Sequence, residues 1–250
     1  MVCVPKHARG IKMKEEKKIE FTQKWIGDAV KKLLQKEDIY ESDMEKIKYL
    51  RIGDCHFAYE YSLEMSTAAP PAPYCGDTCC GDEWSPGVFG PLTGRFIQLY
   101  IDYAKENPFG WTDSETGERT FQLSDFDFWN HYKEEYDESE TEEDEEDWED
   151  TEKKQKSFEA TILHVRYREK ASDEDAYEEW FQRTGWGIQQ DIVLFTGLEV
   201  LRLYHAKYQD LTFLRAMPRL RVLEVADAYF LSLEGIDDLV RLKQLCCWLD

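Results

Sequence analysis

Residues 198–248, LEVLRLYHAKYQDLTFLRAMPRLRVLEVADAYFLSLEGIDDLVRLKQLCCW, carry an apolar pattern that repeats every 22 residues. The first series comprises Leu198, Leu201, Leu203, Leu211, Leu214 and Met217. The same positions return as Leu220, Leu223, Val225, Leu233, Ile236 and Leu239, and then as Leu242, Leu245 and Cys247. A period that holds over a whole series of positions indicates stacked units, each of which buries its apolar face on the next.

The spacing L-x-x-L-x-L within each unit resembles that of bacterial-type leucine-rich repeat proteins. The resemblance covers about residues 22–53 and 190–250. It implies a short strand followed by a helix or 3₁₀ turn in each unit, and the binding of another macromolecule as the usual function. The sequence departs from the family at Ala206 and Ala228, which replace the asparagine that satisfies backbone amides in the turns.

The N-terminal part predicts a capping helix and one further repeat unit over residues 22–53. After a plausible N-cap at Thr22, apolar residues follow at helical spacing at Trp25, Ile26, Ala29, Val30, Leu33 and Leu34. Next, Met44, Ile47, Leu50 and Ile52 reproduce the intervals of Phe195, Leu198, Leu201 and Leu203. An amphipathic stretch with coincidental spacing is the alternative.

This division makes residues 1–21 a leader, residues 54–190 an inserted α+β region, and residues 191–250 the later repeats. Within the insert we predict a helix over 95–107, a turn and short strands in the segment FGWTDSETGERTFQLSDFDFWNHY, a strand over 157–169, and a helix from residue 172 that ends at Gly185 or Gly187. Its own core is expected from Phe96, Tyr100, Trp111, Phe121, Phe126, Phe128, Trp129, Phe158, Ile162, Trp180 and Phe181.

Charge is the second strong signal. The net charge of -21 opposes direct binding to nucleic acid phosphates or to an anionic membrane, and it favours a basic protein partner. Residues 134–150, EEYDESETEEDEEDWED, contain 13 acids and no base, so we predict that this run is disordered and solvated. Trp148 within the run is a candidate anchor for a partner.

The composition also bears on location. No apolar run is long enough to span a membrane, and the N-terminus lacks the apolar region of a secretory signal. The seven cysteines are an odd number and include two adjacent pairs, so we expect reduced thiols and a cytoplasmic location.

The sequence offers no catalytic residues and predicts neither a metal nor another cofactor. Cys55, His56, Cys75, Cys79 and Cys80 include enough zinc ligands, but they lack paired C-x-x-C spacing. Asp125 and Asp127 alternate like solvent-facing acids on a strand, and His164 is expected on the exposed or edge face of a strand. An enzyme or metal-binding protein with its site in residues 54–190 is the alternative function.

The resemblance implies a binding surface. In the L-x-x-L-x-L pattern the leucines point inward, so the alternating residues point outward onto a concave ladder. Together with Trp148, the predicted partner-binding residues are Val200, Arg202, Tyr204, Val222, Glu224, Gln244 and Trp248. The last strand lacks a capping unit, so we expect that the insert folds over this end or that a partner or a second copy covers it, the last case being a homodimer.

The predicted fold is α/β: a short leucine-rich repeat solenoid with an N-terminal capping helix and an inserted acidic α+β subdomain. The predicted function is non-enzymatic protein–protein recognition, as in a stoichiometric inhibitor or immunity protein, or a nucleic acid mimic, that binds a basic or nucleic-acid-handling protein. A self-assembling scaffold is the third alternative.

Overall fold

The computed structural model describes residues 16–55, 60–71, 91–114, 116–123, 128, 131–132, 148–168, 187–204, 207–226 and 228–248. Seven strands form the larger sheet: β1 (Tyr49–Cys55), β2 (Glu60–Ser66), β3 (Leu92–Thr93), β6 (Leu163–Arg168), β7 (Val200–Tyr204), β9 (Val222–Ala226) and β11 (Gln244–Trp248). Their order across the sheet is β3-β11-β9-β7-β1-β2-β6.

Four parallel strands, β1, β7, β9 and β11, form the centre of this sheet. Tyr49 lies beside Val200, Val200 beside Val222, and Val222 beside Gln244. Residues 22 positions apart in the sequence therefore lie side by side in β7, β9 and β11. One face of the four strands points into the main core, and its side chains are at most 1% exposed: Leu50, Ile52, Leu201, Leu203, Leu223, Val225, Leu245 and Cys247.

The predicted leucine-rich repeat solenoid is wrong. Antiparallel strands extend the parallel centre on both sides, with β2 and β6 beyond β1 and β3 beyond β11. These three strands come from residues 60–168, so the segment between the parallel strands completes their sheet. The described chain is an α/β fold of two mixed sheets with few helices.

The last parallel strand, β11, pairs with β3, a strand from the insert. Leu92 and Thr93 of β3 pair with Leu245 and Gln244 of β11. The insert therefore covers the first two residues of β11, which agrees with the expectation that it folds over this end. The homodimer through this end stays a prediction.

The α-helices are α1 (Lys24–Leu34), α2 (Glu41–Met44), α3 (Arg95–Glu106) and α4 (Trp148–Glu159), and 3₁₀ helices span Thr212–Ala216 and Ile236–Arg241. The predicted helices at the N-terminus and over 95–107 are confirmed. The Trp25 ring of α1 lies parallel to the Tyr167 ring of β6, with the ring centres 5.0 Å apart. Helix α1 therefore covers the apolar face of the sheet at its β6 edge.

The smaller sheet contains β4 (Gly110–Thr112), β5 (Arg119–Gln122), β8 (Lys207–Tyr208) and β10 (Tyr229–Phe230), in the order β4-β5-β10-β8. The turn and strands predicted in FGWTDSETGERTFQLSDFDFWNHY are confirmed for the β4–β5 hairpin, whereas the later residues Phe128, His131 and Tyr132 are helical. Phe121, Phe230 and Tyr208 lie side by side on the inner face, and the last two are fully buried in the main core.

The N-terminus of α1 is held by a distant carboxylate. Its N-cap is Gln23 rather than the predicted Thr22, and no local side chain caps the helix. Instead, the two carboxylate oxygens of Asp191 accept hydrogen bonds of 2.7 Å from the backbone N–H groups of Thr22 and Gln23. Burial raises the pKa of Asp191, although these backbone hydrogen bonds act in the opposite direction.

The aromatic core predicted for the insert is correct in part. Phe96, Tyr100, Phe128 and Phe158 are buried as predicted, and Phe121 and Ile162 are half-buried. The prediction for Trp111 is wrong, because its side chain is exposed. Phe126, Trp129, Trp180 and Phe181 lie outside the described residues.

Two further expectations concern segments that the structure describes in part. The acidic run is described only from residue 148, where it forms the first turn of α4 rather than a disordered stretch. The strand predicted over 157–169 is confirmed for Leu163–Arg168, which is β6, but residues 157–159 are the end of α4. The helix predicted from residue 172 to Gly185 or Gly187 falls almost entirely outside the described residues.

The cysteines and the helices bear on the predicted location. Cys246 is disulfide-bonded, so the expectation of reduced thiols is wrong at this position, whereas Cys247 is buried and free. Within the part of the chain that is described, no helix is both long enough and apolar enough to cross a membrane.

Asp43 in α2 links the first two helices. Its carboxylate accepts hydrogen bonds from Lys36 and Lys46, at 2.6 and 2.7 Å, and from the backbone N–H of Tyr40 at 3.2 Å. Burial raises the pKa of Asp43, but these hydrogen bonds outweigh burial and lower the pKa to about 2. The folded state therefore binds the proton of Asp43 less readily than the unfolded chain does.

This shift predicts a loss of stability in acid. The contribution of Asp43 is complete above its unfolded pKa of about 4 and is lost as the pH falls through about 2. Because both lysines are partly exposed, we expect a change of about 1–2 kcal/mol in the free energy of unfolding. Urea titrations between pH 5 and pH 2 should show this slope in the natural protein and a shallower one in Asp43→Asn; equal slopes would contradict the assignment.

Candidate interaction surface

The predicted partner-binding ladder is buried. Val200, Arg202 and Tyr204 of β7 and Val222 and Glu224 of β9 all lie on the face of the large sheet opposite the main core, but none is exposed. Gln244 of β11 is buried as well. The prediction that these residues form an open surface is therefore wrong.

Helix α4 explains the burial at one end of this ladder. Phe158 of α4 packs with Tyr49, Val200 and Val222 in a second apolar cluster, to which Ala68 and Ile162 add half-buried side chains. The Phe158 ring meets the Tyr49 ring edge-on, with the ring centres 5.3 Å apart. The residues that bury this end of the ladder come from the segment between the acidic run and β6. The apolar pattern of the repeats therefore does not predict this burial.

Charged residues in the middle of the ladder are paired with each other. Arg202 Nε lies 2.9 Å from Glu224 Oε2, and the two side chains are only 9% and 8% exposed. The Tyr204 hydroxyl also donates to Glu224, and the Arg51 guanidinium lies over the Tyr204 ring, 4.6 Å from its centre. These charged and aromatic groups are therefore engaged with one another within the chain.

The two predicted tryptophans are described only by their backbone. Trp248 lies in β11 beside Ala226, and Trp148 is the first residue of α4. Their side chains fall outside the description, so their role as anchors stays a prediction.

The row of paired residues that contains Arg202 and Glu224 continues through Arg51, Glu64 and His164 toward the β6 edge of the sheet, where it lines a charged cleft. The cleft has a volume of about 410 Å³ and is lined by Arg51, Glu60, Ser62, Leu63, Glu64, His164, Val165 and Arg166. Glu64 is its central group, since it accepts hydrogen bonds from Arg51 at 3.0 Å and from the Tyr49 hydroxyl at 3.2 Å. His164 Nδ1 lies 3.3 Å from the same carboxylate, and His164 is exposed on the strand face, as predicted.

The chemistry of this cleft is ion pairing. Arg166 also pairs with Glu60, at 3.4 Å, so each carboxylate of the cleft faces a cation. Within the described ranges, no three histidine, cysteine, aspartate or glutamate side chains are placed to hold a metal ion. His56, Cys75, Cys79, Cys80, Asp125 and Asp127, which carried the alternative metal and carboxylate sites, lie outside those ranges.

The outer face of the smaller sheet carries a cluster of accessible aromatic rings. Phe109 and Trp111 are 42% and 47% exposed, and their ring centres lie 5.4 Å apart. The Trp111 ring also meets the ring of Tyr229, which is half-buried, with a centre distance of 5.8 Å. We call Phe109, Trp111 and Tyr229 the aromatic face.

The β4–β5 hairpin, which carries Phe109 and Trp111, is stabilised by contacts in its turn and across the sheet. In its turn, the Asp113 carboxylate accepts from the backbone N–H of Thr116 at 2.7 Å, and Gly117 takes the positive φ of 71° that favours glycine. Lys207 of β8, which is buried, reaches across the sheet to Glu118 at a distance of 2.7 Å. A surface held in this way loses little conformational entropy when it binds.

A buried amide lies on the same face. Gln122 of β5 stands opposite Tyr229, and its backbone N–H donates to the carbonyl of Phe109 at 3.0 Å. Gln122 is only 4% exposed, and neither the nitrogen nor the oxygen of its side-chain amide has a hydrogen-bond partner among the described residues. An unsatisfied buried amide costs about 1–3 kcal/mol, so the Gln122 side chain reduces the stability of the fold.

Sequence reasoning assigned Trp111 to a core and passed over Phe109. The available signal was the placement of both aromatics within two residues of each other, immediately before the turn-forming segment TDSETGE. Loops and hairpin tips are the usual place for binding residues, whereas a count of aromatics does not separate core from surface.

No protein-family model, no curated protein and no solved structure matches this chain. The resemblance to leucine-rich repeat proteins therefore gains no support, and the fold contradicts the solenoid that it implies. The function has to be argued from the geometry.

The buried pair predicts an effect on stability. Removing one partner leaves the other charge buried and unpaired, so Arg202→Met or Glu224→Gln should lower the free energy of unfolding by about 3 kcal/mol. The double variant Arg202→Met with Glu224→Leu should recover most of this loss, because it leaves no buried charge.

Arg221 and Glu199 form the matched control. They lie 2.8 Å apart in a partly exposed pair, so Arg221→Met should cost less than about 1 kcal/mol. Urea denaturation measures all four variants, and equal losses at the two pairs would show that burial does not decide the cost.

Proposed function

We propose that this protein is a non-enzymatic recognition protein that binds a basic protein partner through the aromatic face. The observation that carries the proposal is the exposure of Phe109 and Trp111, in mutual contact, on a hairpin whose turn is fixed by its own hydrogen bonds. Tryptophan and tyrosine supply much of the binding energy at protein interfaces, because they bury a large apolar area with few rotatable bonds.

The charge of the chain supports a basic partner. The segment 107–122, which contains the hairpin, has the acids Asp113, Glu115 and Glu118 and only one base, Arg119, and the whole chain carries -21. Complementary charge increases the rate of association and disfavours acidic competitors. A stoichiometric inhibitor or immunity protein, acting on a nucleic-acid-handling protein, is the functional class that fits these properties.

The cytoplasmic location belongs to the same proposal and rests on the odd number of cysteines. The disulfide at Cys246 weighs against it, because disulfides are rare in the cytosol.

Substitution of Trp111 tests the proposal. In a capture experiment with the full chain as bait, the natural chain should retain a protein in a stoichiometric amount. The variant Trp111→Ala should not retain it. Calorimetry on the purified pair should show a loss of affinity of about 30-fold, which corresponds to about 2 kcal/mol at an interface hot spot.

Val240→Ala is the matched control, since Val240 is the other exposed large apolar residue among those described and lies on the second 3₁₀ helix. It should bind like the natural chain. Equal binding by Trp111→Ala, or the same loss in both variants, would contradict recognition through the aromatic face.

Gln122 gives a test in which stability and binding change in opposite directions. Gln122→Met removes an unpartnered amide at nearly constant shape, so it should raise the free energy of unfolding by about 1 kcal/mol. If the amide serves the partner, the same variant should bind more weakly than the natural chain. Chemical denaturation and calorimetry give the two values, and a stabilised variant with unchanged affinity would remove Gln122 from the site.

A further inference from the structure

Four strands lie at the edges of the two sheets among the described residues, and β4 differs from the other three. The strands β3 and β8 have only two residues each, and of these four residues only Thr93 is exposed. The strand β6 exposes His164, Arg166 and Arg168, and charges of this kind prevent an edge strand from pairing with another chain. The strand β4 exposes Trp111, next to Phe109, and has no charged residue.

The hydrogen bonds of the hairpin show which backbone groups of β4 point outward. Gln122 N–H donates to the carbonyl of Phe109, and Asp113 N–H donates to the carbonyl of Glu118. Trp111 stands opposite Thr120 between these bonds. Because hydrogen-bonded pairs alternate along an antiparallel ladder, the N–H and C=O groups of Gly110 and Thr112 point away from β5.

We infer that an extended basic segment of the partner adds to β4 as a further strand. The outward groups of Gly110 and Thr112 are two residues apart, which is the repeat that a neighbouring strand needs. Side chains of the added strand then lie beside Trp111 and Phe109, and its cationic residues face the acids of the hairpin turn. The inference rests on the proposed function, and it specifies the form and charge of the segment that the aromatic face receives.

The close approach of the two hairpin strands restricts how β4 can be tested. A side chain at Gly110 would place its Cβ 2.0 Å from the carbonyl oxygen of Thr120, so substitution there would disturb the hairpin itself. Thr112 is exposed, and Thr112→Pro removes one outward N–H without removing a bond to β5. Thr112→Val keeps that N–H and serves as the matched control.

The probe is a blocked heptapeptide of alternating lysine and valine, with a glutamate–valine peptide as its charge control. In amide exchange followed by NMR on the full chain, saturation with the lysine peptide should slow the exchange of Gly110 and Thr112 at least 10-fold. Exchange at Trp111, whose amide already faces β5, should not change. Thr112→Pro should weaken binding at least 10-fold, Thr112→Val should not, and the glutamate peptide should not bind.

Each contrary result has a distinct meaning. Shifts at the Trp111 indole without protection of Gly110 and Thr112, and with full binding by Thr112→Pro, would overturn strand addition and leave recognition by the aromatic side chains standing. Equal binding of both peptides would overturn the basic character of the segment. No binding of the lysine peptide would overturn the inference while the Trp111→Ala capture experiment still decides the proposed function. If Thr112→Pro does not fold, the exchange measurement on the natural chain decides alone.

Discussion

Parallel strands in the centre of a sheet are normally covered on both faces, and this constraint governs the rest of the structure. The leucines of β1, β7, β9 and β11 face the main core, so a second layer has to cover the alternating residues on the other side. Phe158 of α4 provides part of that layer over Tyr49, Val200 and Val222. The segment between β1 and β7 is therefore part of the same packing unit as the parallel strands, and it also contributes three strands to their sheet.

Burial of the second face determines what its charged residues do. In a medium of low dielectric, Arg202 and Glu224 are tolerated because each neutralises the other and because Tyr204 adds a hydrogen bond. Toward β6 the row becomes accessible, and Arg51, Glu64 and His164 form a partly hydrated network. The same row of side chains is therefore buried where it crosses β9 and β7 and accessible where it crosses β2 and β6.

The aromatic face, which we propose as the recognition surface, lies away from this strip, on the smaller sheet. There Lys207 and Glu118 fix a short hairpin against the core, and the same hairpin exposes Phe109 and Trp111. A rigid support for accessible aromatic rings lowers the entropic cost of binding, and the surrounding negative charge favours a basic partner. On this face the buried amide of Gln122 reduces stability, because it forms no hydrogen bond with the described residues.

Three local features follow from residue spacing alone: the 22-residue period that becomes the strand register, the amphipathic helices α1 and α3, and the turn of the β4–β5 hairpin. Each depends on residues close in the chain, whose spacing sets which side chains share a face. Three other features depend on long-range packing: the outward ladder is buried, Asp191 caps a helix 168 residues away, and Trp111 is exposed. Burial and capping depend on which distant segment packs against a face, and the spacing of apolar residues along one strand contains no information about the segment that covers its other side.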